Sequence, residues 1–132
     1  MRIVFDLDGV ILPDERGRGG VDAYYRREPF PMAVKYLQQL KAEGHYIIIH
    51  TARGMKTNAG NINAVRALHE RRLKDWLARY KIPHDELHFG KPYADVYIDD
   101  KALNFQGTKE REAWDALVKT LHAAQKLKDV EP

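Results

Sequence analysis

Tyr46-Ile47-Ile48-Ile49-His50-Thr51 is the segment that leaves this chain least choice. Three consecutive isoleucines behind an aromatic suit a pleated, half-buried strand and sit poorly in a helix. Helical patterns stand on both sides of it. Before it, Val34, Leu37 and Leu40 recur at helical spacing, with Pro31 as a first-turn proline and Gly44 as a stop. After it, a polar loop with Gly54, Asn58, Gly60 and Asn61 leads into Ile62, Val65, Leu68, Leu73, Trp76, Leu77 and Tyr80. These form the apolar stripe of an amphipathic helix over 62–80, and Pro83 closes the region.

The same alternation runs through the rest of the chain. Arg2 to Leu7 is a short apolar run ending in acids, which points to a strand buried on both faces, as in a parallel sheet. Residues 9–29 read as an irregular, flap-like segment punctuated by Pro13, Gly17, Gly19, Gly20 and Pro29. Glu86–Phe89 and Asp95–Ile98 are two further short strands. A last helix spans roughly 108–127, with Trp114, Leu117, Val118 and Leu121 on its buried stripe. Strands alternating with helices predict an α/β fold: a three-layer α/β/α, doubly wound, Rossmann-like parallel sheet. Residues 1–132 make a single domain, with no room for a large cap.

Composition narrows the classes. Hydrophobic residues make up 44% of the chain, enough for a core. No apolar run is long enough to span a membrane. The first residues meet Asp6 too early for a signal peptide. The absence of cysteine excludes disulfides and thiolate chemistry and fits a cytoplasmic protein. The net charge of +3 is dispersed; Arg71-Arg72 falls inside a helical pattern, where a solvated face explains it.

Ligands of such sheets bind at the carboxyl ends of the strands. Strand one ends in Asp6-Leu7-Asp8-Gly9 and strand two in Thr51-Ala52-Arg53; Gly90-Lys91 follows strand three, and Asp99-Asp100 ends strand four. Carboxylates crowded at one edge repel one another unless a cation sits among them. Mg²⁺ is the natural cation, because it takes oxygen ligands and keeps waters for a phosphate substrate. Lys91 adds a point charge, Thr51 a hydroxyl, and Gly9 a close approach for backbone N–H groups. Together they suit phosphoryl transfer, where positioning and charge neutralisation supply most of the catalysis. Taken singly, each has a plainer use. An Asp-x-Asp at a strand end serves a turn as readily as a reaction, and a lysine before a proline is usually a surface residue.

In order and spacing these residues resemble the haloacid dehalogenase superfamily. Phe5-Asp6-Leu7-Asp8-Gly9-Val10 is similar to its first motif and Ile48-Ile49-His50-Thr51-Ala52-Arg53 to its second. Lys91 stands where the third motif has its lysine, and Tyr97-Ile98-Asp99-Asp100 resembles the fourth. The stretches Thr51–Met55, Ile82–Leu87 and Gly90–Ala102 resemble a small capless group within it, often described as capsule-biosynthesis phosphatases.

The resemblance implies a phosphatase acting on a phosphomonoester through an aspartyl-phosphate. Asp6 would be the nucleophile and Asp8 the acid and base. Thr51 and Lys91 would hold phosphoryl oxygens, with Gly9, Ala52 and Arg53 lining the substrate. It also implies Mg²⁺ on Asp6, on the Asp8 backbone carbonyl and on Asp99, with Asp100 bound directly or through water. Arg53 has two readings, a substrate contact or a salt bridge to a loop acid. Tyr24 to Arg27 either line the entrance or pack the loop down. A sugar phosphate, a nucleotide-type substrate and a nucleic-acid end all remain open, as does oligomeric state. A phosphate-accepting receiver domain is the rival from another class, although a receiver carries its phosphorylated Asp mid-chain, before its Thr and Lys. An inactive phosphate-binding relative is another.

Overall fold

A computed structural model describes residues 1–15 and 19–130. Gly17, counted above among the residues that punctuate the early segment, lies outside the described residues. The elements run β1 (Arg2–Phe5), α1 (Gly20–Arg26), α2 (Pro31–Ala42), β2 (Tyr46–Thr51), α3 (Ile62–Arg79), β3 (Glu86–Phe89) and α4 (Arg111–Val130). The three strands form one parallel sheet in the order β1-β2-β3. Phe5 stands beside Ile49, and Thr51 beside Phe89. The strands therefore end together, which gathers Asp6, Thr51 and Gly90-Lys91 at one edge. This is the α/β class expected, and no cap domain interrupts it among the described residues.

One face of the sheet builds the core. Phe5, Ile47 and Ile49 pack with Leu37 and Leu40 of α2, Leu73, Trp76 and Leu77 of α3, and Trp114, Val118 and Leu121 of α4. Alternation along a strand puts these side chains on one face. Trp114 is the anchor: fully buried, stacked on Tyr36 at 6.3 Å and met edge-on by Phe105 at 4.6 Å. Its indole N–H, which burial would otherwise leave unpaired, donates to the Thr108 carbonyl at 2.8 Å. Asp85 fixes the entry to β3: its backbone N–H donates to Ile47 O and its carboxylate accepts the Ile47 N–H, both at 2.7 Å.

Two expectations are corrected. Asp95–Ile98 does not form a fourth strand. Its β-propensity is real, but the segment pairs with no strand and makes local contacts instead. The Tyr97 ring lies under the Lys91 ammonium, and its hydroxyl donates to the Pro92 carbonyl. Ile98 is 100% exposed, and β1 stays an edge strand with Val4 58% exposed. The segment 9–29 is also not irregular throughout, because Gly20–Arg26 forms the seven-residue α1. It carries no buried residue, so its apolar signal is weak, and the glycines before it mask the spacing of Val21, Tyr24 and Tyr25. Among the described residues no helix is long and apolar enough to cross a membrane.

Candidate active site

β1 ends at Phe5, and the chain turns sharply over the next residues. The Leu7 carbonyl accepts the N–H groups of Val10 and Ile11 at 3.2 and 2.9 Å. Gly9 has φ +88°, a conformation open to glycine and strained for other residues, and this lets Asp6 and Asp8 sit on one tight loop. The Gly9 N–H donates to Leu12 O at 2.8 Å, so it is used inside the turn. Gly9 therefore shapes the loop here and does not present a donor to a substrate.

Asp6 is partly buried. Its Oδ1 accepts the Leu7 N–H at 2.8 Å, and its Oδ2 lies 3.5 Å from Lys91 Nζ. Burial raises its pKa; Lys91 and the Leu7 N–H oppose that rise, and the charge of Asp8 adds to it. Lys91 is placed by the next crossing of the sheet edge, where its N–H donates to Thr51 O at 3.2 Å. Thr51 is buried at the end of β2. Its Oγ1 accepts the Arg53 N–H at 3.0 Å, which leaves the hydroxyl hydrogen to donate elsewhere. The Ala52 carbonyl accepts the Met55 N–H at 3.0 Å and closes the turn that follows.

Arg53 has gone to an acid, and the acid is Asp8. Its Nε is 3.1 Å from Asp8 Oδ2 and its Nη2 2.7 Å from Oδ1, a two-pronged contact, with Arg53 only 5% exposed. Tyr24 and Tyr25 of α1 lie against the guanidinium, with Cζ 4.5 and 5.2 Å from their ring centres. Of the two roles open to these tyrosines, packing is the one observed.

Asp99 and Asp100 do not join the site. Both are exposed, and Asp99 Oδ1 accepts the Lys101 N–H at 2.8 Å. Among the described residues, no three His, Asp or Glu side chains lie together so as to hold a metal ion. The expected ligand set of Asp6, Asp8, Asp99 and Asp100 is not assembled among the described residues, because the strand expected to end in the last two does not form. Of that set, Asp6 and Asp8 remain together at the sheet edge, and one or two carboxylates with waters can suffice for Mg²⁺.

His69 was not singled out by its spacing, yet it holds the site's outer wall. It is 2% exposed on α3, and its Nδ1 meets the Tyr25 hydroxyl at 2.5 Å. The signal was present: 62, 65, 69, 73 and 76 follow helical steps, so a histidine occupies a core position of the stripe. Burial pushes its pKa down from 6.5 to about 4, with the Arg53 charge contributing. The unfolded chain therefore takes up a proton near pH 6.5 that the folded chain refuses. This contribution to stability is fully present above pH 6.5 and is lost as pH falls toward 4, by up to ~3 kcal/mol. Urea unfolding of wild type and His69→Gln at pH 7.5 and pH 4.5 checks this: wild type should lose more stability than the variant.

Against solved structures, the fold matches one from Vibrio cholerae, described as an MCSG target, with a TM-score of 0.70 and 25% identity. That match covers 90% of this chain and 97% of the other. Two looser matches are a Pnkp1/Rnl/Hen1 RNA repair complex and a D,D-heptose 1.7-bisphosphate phosphatase from B. bronchiseptica complexed with magnesium and phosphate. The first has a TM-score of 0.47 and 21% identity over 90% of this chain and 31% of that one. The second has 0.46 and 17% over 76% and 53%. No protein-family model matches the chain, and no curated protein matches it.

Proposed function

Starting from a fold consistent with the haloacid dehalogenase superfamily, we propose that this chain is a phosphohydrolase that cleaves a phosphomonoester through an aspartyl-phosphate on Asp6. The observation that carries this reading is the meeting of Asp6 with Lys91 at 3.5 Å on the sheet edge where β2 ends in Thr51. A carboxylate left partly open beside an ammonium is suited to attack a phosphorus atom whose oxygens that ammonium also attracts.

In the first half, an Asp6 oxygen bonds to phosphorus, the ester P–O bond breaks, and the leaving oxygen takes a proton from Asp8. In the second, a water oxygen attacks the same phosphorus. Asp8 takes the water's proton, the P–O bond to Asp6 breaks, and inorganic phosphate leaves. Asp8 then holds the proton that the next leaving group needs. The Thr51 hydroxyl and Lys91 would steady the phosphoryl oxygens through both halves.

Mg²⁺ dependence is part of the proposal through the resemblance of the motifs, and no step above is routed through the ion. A small phosphomonoester, such as a sugar phosphate or nucleotide, is the substrate class proposed. The test is phosphate release from sugar phosphates, nucleotides and 3′- or 5′-phosphorylated oligonucleotides, with Mg²⁺ and with a chelator. Release that stops with chelator is expected. Release from none of them would sink the proposal in favour of a binding domain.

A further inference from the structure

The two-pronged contact between Arg53 and Asp8 bears on how the acid and base of the proposed reaction is held in place. Such a contact needs both carboxylate oxygens to accept, through Nε at 3.1 Å and Nη2 at 2.7 Å. The contact therefore fixes the plane and position of the Asp8 carboxyl group, which takes the water's proton in the reading above.

The arginine is itself held on every side. Tyr24 and Tyr25 cover its guanidinium at 4.5 and 5.2 Å. Tyr25 is fixed by its hydroxyl on His69 and by Arg72, whose Cζ lies 4.5 Å from the ring centre. Arg72 in turn meets Asp22 at 2.7 Å, so α1 is tied to α3 at both ends of the contact. Gly54, next to Arg53, has φ +80°, and a Cβ there would come within 3.1 Å of the His69 ring. The turn after β2 and the His69 wall are thus fitted to each other. A guanidinium this enclosed is not presented to a substrate.

We propose that Arg53 is a positioning residue that holds Asp8 as the carboxylate base for hydrolysis of the phospho-enzyme, and that Tyr25, braced by His69, holds Arg53 in place. This rests on the aspartyl-phosphate reading above.

The test uses p-nitrophenyl phosphate, whose good leaving group needs little help from an acid. Its kcat/KM then reports formation of the phospho-enzyme, while kcat reports its hydrolysis. In Arg53→Met, kcat is expected to fall by roughly 100-fold, the scale of a general-base contribution. KM should fall with it, leaving kcat/KM within about 3-fold, and acid-quenched phospho-enzyme should accumulate. Tyr25→Phe should show the same split on a smaller scale, and it keeps the proposal testable if Arg53→Met does not fold. A rise in KM at constant kcat would make Arg53 a substrate contact, and an equal fall in kcat and kcat/KM would make it merely structural; either overturns the proposal. An unfolding double-mutant cycle on Arg53→Met and Asp8→Asn needs no turnover. Additive effects there overturn the pairing even if wild type cleaves nothing, whereas coupling with no cleavage refutes the hydrolase reading and, with it, the role assigned to Arg53.

Discussion

Asp6→Asn should give a folded protein with no measurable phosphate release, a loss of at least ~10³-fold. The substitution is nearly isosteric. The side-chain oxygen that accepts the Leu7 N–H at 2.8 Å is kept, so the turn after β1 has no reason to change. What is lost is the anionic oxygen that would attack phosphorus, and a neutral amide is no substitute for it. Stability should move the other way, if at all. Burial raises the Asp6 pKa above its usual value, so at neutral pH the charged form costs the folded state some stability. Removing the charge should leave the urea midpoint unchanged or slightly higher, although the Lys91 contact is given up. Phosphate release measured with Mg²⁺, and the midpoint measured on the same preparation without it, separate the two effects. Turnover near the wild-type rate would remove Asp6 as nucleophile. Lost turnover with a collapsed midpoint would make it a structural residue instead.

The parts of the fold that were legible in the sequence are those whose signal is local and repeated. β2 and β3 run over the residues their β-propensity marks, and α3 follows its apolar stripe to within a residue. Thr51 ends β2 and Lys91 follows β3 by two residues, both strands that could be read. Asp95–Ile98 shows where this kind of reading stops. Val96, Tyr97 and Ile98 favour extended backbone, but a strand also needs an edge to pair with, and that is a tertiary fact. Here Tyr97 is claimed locally by Lys91 and Pro92. Asp99 and Asp100 go astray with the strand they were read from. A salt bridge from Arg53 to a loop acid was one of its two readings, but that the acid is Asp8 was illegible for a related reason. The two residues are 45 positions apart, and only the turns after β1 and β2 bring them together. His69 is a different kind of miss. Its place on the apolar stripe was visible, but nothing in that spacing points to a partner that is a tyrosine on another helix.

Gly107→Ala should be among the most destabilising single-methyl changes available to this chain, at about 3 kcal/mol or more. The backbone at Gly107 runs directly over the turn that carries Asp8. Its N–H donates to Gly9 O at 2.8 Å. A Cβ at this position would stand 2.2 Å from the Val10 carbonyl oxygen and 2.6 Å from the Phe30 ring. The carbonyl belongs to the turn after β1 and cannot swing aside as a flexible side chain would. To admit the methyl, either Gly107 must lift off, breaking its hydrogen bond to Gly9, or the turn must shift and take Asp8 out of line with Arg53. Both routes predict that activity falls along with stability. Gly44→Ala is the control. Gly44 has a positive φ, +93°, but a Cβ there meets nothing within 4 Å, so only the backbone conformation resists, at about 1 kcal/mol. Urea midpoints for the two variants check the difference. Equal losses would mean that the contact between Gly107 and the Val10 carbonyl is not tight in solution, and the support it gives the Asp8 turn would have to be sought in Phe30 and the core beneath it.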